Sequence, residues 1–197
     1  ILERKNPLSL VKAFQMAYPD KESPQSPDLV LKVTYPDKTI PQVNDLYQAA
    51  DNDARIKIID DLLSTSDLHD LIAKAIAYVS PHRSEGLGLT VIEAMAAEVP
   101  VITTAFGGLS AFIDESTAWP VEFDLRELAA EYHPYPKGFV WADPKIDSLA
   151  KKMSQVLDEP GVAIARAECG RQRILDVFNS QFLVDQYRVA IKNVIGH

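Results

Sequence analysis

Apolar residues recur along this chain in two rhythms, and their alternation predicts the fold. Leu10, Val11, Phe14, Ala17 and Tyr18 fall on one helical face. Asn6-Pro7 precedes them and reads as a cap followed by proline at the first helical position. Residues 19–28, rich in proline, serine and acids, read as loop. Residues 29–34 form a mainly apolar run of the kind found in a parallel sheet covered on both faces. A helix over 41–50 and a strand over 55–59 follow. Ser64 has Leu63 before it, Asp67 three residues on and Leu68 four on, close to a capping box with a hydrophobic staple. Leu68, Leu71, Ile72 and Ala75 then give the next helix its buried face.

The second half continues the alternation. Residues 76–79 are a strand, 80–88 a polar loop, and a helix opens after Gly88. Residues 101–104 are a strand, Phe106-Gly107-Gly108 a turn, and 109–113 a short helix. Residues 117–122 read as an edge strand, because Pro120 has no N–H for a central ladder. Residues 123–143 read as a long insertion of low regularity, in which 132–136 form a surface lid or brace. Asp143-Pro144 repeats the cap-then-proline start, and Ile146, Leu149, Ala150, Met153 and Leu157 keep helical spacing. Helices over 162–178 and 181–195 close the chain. There is no internal repeat and no low-complexity segment.

Strands alternating with helices at this spacing predict an α/β fold, a Rossmann-like doubly wound parallel sheet with helices on both faces. At 197 residues the chain fits one domain. Its 20 Lys and Arg against 28 Asp and Glu give a net charge of −8. That balance argues against nucleic acid and anionic membrane as main partners. A single cysteine, Cys169, precludes an internal disulfide and fits a reducing, cytoplasmic compartment; it reads as a helix-packing thiol. No apolar run approaches a membrane span, and the start is no signal peptide and lacks an initiator Met, so the chain reads as a piece of something longer.

The candidate chemistry lies in the polar loop. Glu85, Gly86, Leu87, Gly88 and Leu89 run into a helix that carries Glu93 in an early turn. Unpaired amides and the helix dipole make such a turn an anion site. Its two carboxylates suit hydroxyl groups of the same ligand, which suggests a sugar nucleotide. From spacing alone, a tight turn with two solvated glutamates is an equal reading. His82 reads as a surface hydrogen-bonding residue rather than a base. No cluster of His, Cys and carboxylates has metal-ligand spacing.

Glu85-Gly-Leu-Gly-Leu-Thr-Val-Ile-Glu93, Ala94-Met-Ala-Ala97, Pro100-Val-Ile102 and Gly107-Gly108 together resemble the signature of group 1 (family 4) retaining glycosyltransferases. Arg4-Lys5-Asn6-Pro7, His82-Arg83 and Trp141-Ala-Asp-Pro144 are similar to a bacterial subfamily. The resemblance covers nearly the whole chain. It implies that residues 1–197 are the C-terminal, donor-binding half of a GT-B fold that takes a nucleoside-diphosphate sugar as substrate, with no cofactor and no metal. It implies catalytic roles for Glu85, at the donor sugar's hydroxyls, and Lys5, at the diphosphate. Arg4, Arg83, Gly86, Leu87, Gly88 and Leu89 would line the donor, and Glu93 would accept from the ribose hydroxyls. The acceptor, a sugar, lipid or protein, would sit in an N-terminal domain outside the sequence. The full-length protein would be cytoplasmic, with scope for peripheral membrane association.

Two departures from the family pattern carry expectations. Glu98 stands where the family usually has glycine, so either its φ is positive or the helix ends differently. The domain's first strand, central in the order 3-2-1-4-5-6, is expected before Ile1, so residues 29–34 should not pair directly with 76–79. A nucleotide-sugar 2-epimerase and a non-catalytic glycosyltransferase-like binding module are the alternative functions.

Overall fold

The computed structural model describes residues 2–179 together with 184, 185, 187–189, 191 and 192. A short α1 (Leu2–Lys5) leads into α2 (Pro7–Ala17), β1 (Leu29–Lys32), α3 (Pro41–Asp51), β2 (Ile56–Ile59) and α4 (Thr65–Ala73). Next come β3 (Tyr78–Ser80), α5 (Leu89–Ala96), β4 (Val101–Thr104), a 3-10 helix (Gly107–Ala111) and β5 (Trp119–Val121). The chain continues through β6 (Phe123–Glu127), β7 (Val140–Pro144), α6 (Ile146–Asp158) and α7 (Pro160–Val177). The helix expected over 181–195 lies for the most part outside the described residues.

All pairings among β1–β5 are parallel. β1 pairs with β2, and β3, β4 and β5 pair in that order. β5 is therefore an edge strand, as Pro120 requires. β1 and β3 share no ladder, in line with the separation expected of them. Every side chain of β4 is buried. Ile102 joins a cluster with Phe14, Leu31, Ile56, Trp119 and Leu149, beneath α2 and α6. Its neighbour Val101 turns to the opposite cluster, with Val91, Met95, Leu109, Phe112 and Ile174, beneath α5 and α7. Helices on both faces explain why these strands read as apolar runs.

Several local readings are corrected. Asn6 caps nothing with its side chain: it is left-handed, with φ 56°, and bends α1 into α2 while its Nδ2 donates to Pro81 O at 3.2 Å. Residues 123–143 are not irregular throughout. They hold the antiparallel hairpin β6–β7, registered from Phe123 opposite Pro144 to Glu127 opposite Val140. Most of β6 is exposed, so no apolar alternation announced it. Pro144 thus ends a strand, and Lys145 precedes α6. Cys169 is exposed on α7 rather than packed. Ser64 does cap α4, accepting from the Asp67 N–H at 3.1 Å.

Glu98 has φ 57°. The Val99 N–H reaches Ala94 O and the Glu98 N–H reaches Met95 O, both at 3.0 Å. This pair of bonds is the Schellman arrangement, whose left-handed residue is usually glycine.

Candidate functional site

The site is built where β3 ends and α5 begins. Pro81 to Gly88 carry the chain across the carboxyl end of the sheet, where ligands bind in open α/β folds. Gly88 turns it into α5 with φ 73°, and a β-carbon there would meet Leu109 Cδ2 at 2.6 Å. The backbone of Glu85–Leu87 rests on the next loop. A β-carbon on Gly107 would lie 2.3 Å from Glu85 O, and one on Gly108 would lie 1.9 Å from Gly86 O. By contrast, the Cβ position of Gly86 faces open space. The amides of Gly86, Leu87 and Gly88 find no partner among the described residues, and that of Leu89 begins the helix. Unpaired amides at a helix start are donors of the kind that take an anion or hydroxyl.

Two expected cations converge on one expected carboxylate, that of Glu85. Arg4 Nη1 donates to Glu85 Oε2 at 3.0 Å and to Ser84 O at 2.8 Å. Lys5 Nζ donates to the same Oε2. Glu85 Oε1 takes no hydrogen bond among the described residues, so one oxygen is anchored and the other available. Partial burial pushes the Glu85 carboxyl up, but the hydrogen bond and charge of Lys5, then those of Arg4, outweigh it and hold it below its usual value.

Glu93 is treated differently. Half-buried in α5, it has no hydrogen bond or ion pair among the described residues. Nearby, the Tyr78 hydroxyl donates to Thr90 Oγ1 at 2.8 Å; burial, above all, raises the Tyr78 pKa. The two glutamates thus flank the glycine turn, one fixed by cations and one open.

Arg83 is turned elsewhere. Its Nε donates to Asp143 Oδ1 at 2.9 Å, and its Nη1 to Glu3 O at 2.7 Å and Glu3 Oε2 at 3.1 Å. Backbone bonds from Arg83 N to Arg4 O and from Ala142 N to Arg83 O complete the tie. Arg83 joins α1, the loop and β7, and leaves the cradle to Arg4 and Lys5.

His82 is fully buried, not at the surface. Its Nδ1 lies 3.2 Å from Ser80 O and 3.3 Å from Ser80 Oγ, while Nε2 has no hydrogen-bond partner. Burial pushes its pKa down, against the opposing pull of Glu85. Sequence reasoning missed this residue because a polar loop gave no sign of an enclosed side chain. Gly107 and Gly108 were readable as a turn, but their supporting role was not, because it depends on contact with Glu85 and Gly86, far back in the chain. Among the described residues no group of three or more His, Cys, Asp or Glu could hold a metal ion.

The family model for glycosyl transferases group 1 matches residues 1–174. The chain belongs to that family. A glycogen synthase of Mycobacterium tuberculosis is 32% identical over 120 residues, 60% of this chain and 24% of that protein. An alpha-maltose-1-phosphate synthase of the same organism is 26% identical over 129 residues, 65% of this chain and 30% of its own length. The matches therefore span about a quarter to a third of these relatives.

Among solved structures, sucrose-phosphate synthase from Thermosynechococcus elongatus superposes with a TM-score of 0.69 at 23% identity, over 98% of this chain and 43% of that one. The C-terminal domain of a group 1 glycosyl transferase (LpcC) from Francisella tularensis gives 0.68 at 18% identity, over 90% and 81%. HepE of Anabaena, solved with UDP-glucose, gives 0.67 at 14% identity, over 96% and 46%. These likenesses establish the α/β fold of the GT-B glycosyltransferases. No helix among the described residues is long and apolar enough to cross a membrane.

Proposed function

We propose that residues 1–197 form the donor-binding domain of a retaining glycosyltransferase. It would hold a nucleoside-diphosphate sugar for transfer to an acceptor hydroxyl of a sugar, lipid or protein. The observation that carries this reading is the unequal state of two glutamates across a turn of unpaired amides. Glu85, anchored through Oε2, offers Oε1 to a hydroxyl of the donor sugar. Glu93, with both oxygens open, suits the adjacent ribose hydroxyls, each of which can donate one hydrogen bond. Gly86, Leu87, Gly88 and Leu89 present N–H groups to the diphosphate and sugar between them. UDP and UDP-glucose in the Anabaena neighbour support a nucleotide-sugar ligand.

In the reaction, the bond from the anomeric carbon to the diphosphate breaks, a new bond forms to the acceptor oxygen on the same face of the ring, and the acceptor's hydroxyl proton passes to the departing diphosphate oxygen. Negative charge grows on the leaving diphosphate. Lys5 and Arg4, pre-positioned beside the cradle, oppose that charge together with the α5 N-terminus. Arg83 holds α1 in place so that both cations reach the loop. No metal or cofactor enters this reading. The main acceptor contacts would belong to a further domain, so the chain alone would bind donor weakly and transfer nothing.

Titration calorimetry of the intact, folded protein with UDP-, GDP- and ADP-sugars tests the donor reading. Saturable binding of at least one donor is expected, and absence of binding to all three would overturn it. An epimerase or a binding module is separated by Glu85→Gln and Glu93→Gln in the full-length protein. A transferase loses transfer activity, an epimerase loses epimerisation, and a binding module keeps its partner.

A further inference from the structure

The β6–β7 hairpin carries an aromatic cluster that the donor site does not use. Trp141 lies on β7, with Tyr132 and Tyr135 from the hairpin loop against it at ring-centroid distances of 5.5 and 5.2 Å. The loop folds back on itself through paired backbone bonds between Tyr132 and Tyr135. Trp141 is only 3% exposed, yet its Nε1–H has no hydrogen-bond partner. Buried indole N–H groups ordinarily find an acceptor. Beside this ring opens a cleft of about 60 Å³, lined also by Tyr132, Arg126, Arg83, Glu3 and Asp143.

The charges around the cleft are already balanced. Arg83 is paired to Asp143 and Glu3, and Arg126 Nη1 lies 3.5 Å from Asp143 Oδ2. Neither a free anion nor a free cation finds an uncompensated partner. The cleft instead offers guanidinium donors, carboxylate acceptors and an aromatic wall, with Trp141 among its lining residues. A neutral pyranose matches that set: hydroxyls that donate and accept, and C–H faces that pack on rings. Arg126, largely exposed and held by one long contact, is free to turn to such a ligand. The volume is about that of two waters, so the cleft takes the edge of one ring. Tyr132, 41% exposed, supplies the outer part of the aromatic wall.

Its position links the cleft to the site already described. Glu3 and Arg83 on its wall adjoin Arg4 and Ser84, whose contact leads to Glu85. We propose that this cleft is a subsite for one neutral pyranose unit; that the unit belongs to the acceptor rests on the donor reading above.

The test is nuclear magnetic resonance of the intact protein, labelled at the indole nitrogens, with Trp141→Phe identifying the Trp141 signal. Methyl α-glucopyranoside, methyl α-mannopyranoside and methyl α-galactopyranoside are titrated separately, with inorganic phosphate as the anionic comparison. At least one glycoside should shift the Trp141 indole proton saturably while the Trp119 signal stays. Tyr132→Ala and Arg126→Gln, both at exposed positions, should each weaken that binding about fivefold or more. The proposal is overturned if no glycoside shifts the signal, if phosphate produces the same shift, or if either variant leaves the affinity intact. UDP added to the same sample reports on the donor site separately. Glycoside binding without UDP binding removes the acceptor assignment but not the subsite, and the reverse removes the subsite alone.

Discussion

Gly108 and Gly86 are in backbone contact: a β-carbon on Gly108 would lie 1.9 Å from the Gly86 carbonyl oxygen. Backbone cannot yield as a flexible side chain can, so Gly108→Ala must displace the Glu85–Leu87 loop. We expect it to cost about 1–3 kcal/mol of stability, as overpacking does, and to lower affinity for a UDP-sugar by about tenfold or more. Gly86→Ala is the contrast, since its β-carbon meets open space. That variant should stay within about 0.5 kcal/mol of the parent in urea denaturation. Nucleotide titration of both variants checks the pair, and an unchanged Gly108→Ala affinity would contradict the loop contact.

Glu93→Gln should separate binding from stability. The carboxylate has no partner to lose among the described residues, so the melting temperature should hold. If it accepts from ribose, loss of its charge should weaken nucleoside-diphosphate binding by about tenfold or more, the scale of charged hydrogen bonds. Glu85→Gln should behave otherwise, because it removes the anion that holds Arg4 and Lys5 together. Calorimetry with UDP alone and with UDP-sugar tells them apart. Glu93→Gln should weaken both ligands, Glu85→Gln chiefly the sugar-bearing one.

Arg83→Ala breaks a partly buried tie among α1, the loop and β7. The expected cost is about 1–3 kcal/mol, since Glu3 and Asp143 lose their shared cation. Any loss of donor affinity should be reversed by stabilising conditions or by Arg83→Lys only as far as stability returns. A variant with full stability and no donor binding would instead place Arg83 at the ligand.

His82 predicts a limb in the acid stability profile. Burial, despite Glu85, lowers its folded pKa below the ordinary 6.5. The unfolded chain therefore binds this proton first, and stability rises with pH through this region. The contribution is whole above 6.5 and is lost as pH falls towards the folded value. Glu85, also lowered in the fold, adds a second loss in the same direction below the usual 4.5. Chemical denaturation across this range should show both limbs, and His82→Gln should flatten the first. A profile unchanged by that substitution would deny His82 the role.

Glu98→Gly should stabilise the protein slightly. A side chain in the left-handed region costs about 1 kcal/mol, and the exposed Arg171–Glu98 ion pair lost with it is worth less. A rise of up to about 1 kcal/mol is expected in urea denaturation, and a fall would mean that the ion pair outweighs the backbone.

The parts legible in the sequence were those whose causes are local. Val101–Thr104 was readable because both faces of β4 are covered, and Ser64 because its cap lies three residues from its partner. Glu98 stood out through resemblance, because it stands where the family usually has glycine, and the Schellman end gives the reason. What escaped depends on contacts far apart in the chain. The left-handed turn at Asn6 is held by its bond to Pro81, seventy-five residues away. His82 sits in a polar stretch that gave no hint of enclosure. The β6–β7 hairpin is set by pairing rather than by burial, so its exposed side chains showed no period. At the site, residue types around Glu85 and Glu93 were visible, but only the structure distinguished a clamped carboxylate from an open one.

The missing ladder between β1 and β3 has a consequence for handling the molecule. Among the described residues no strand pairs with the second edge of either, and Val30 on β1 is exposed. Such edges recruit extended chain from elsewhere, including another copy. Unless a strand of the same polypeptide lies there, solutions of these residues should be prone to sticking edge to edge as concentration rises. Solubility would then be a property of the sheet's borders, independent of the sugar chemistry at its carboxyl end.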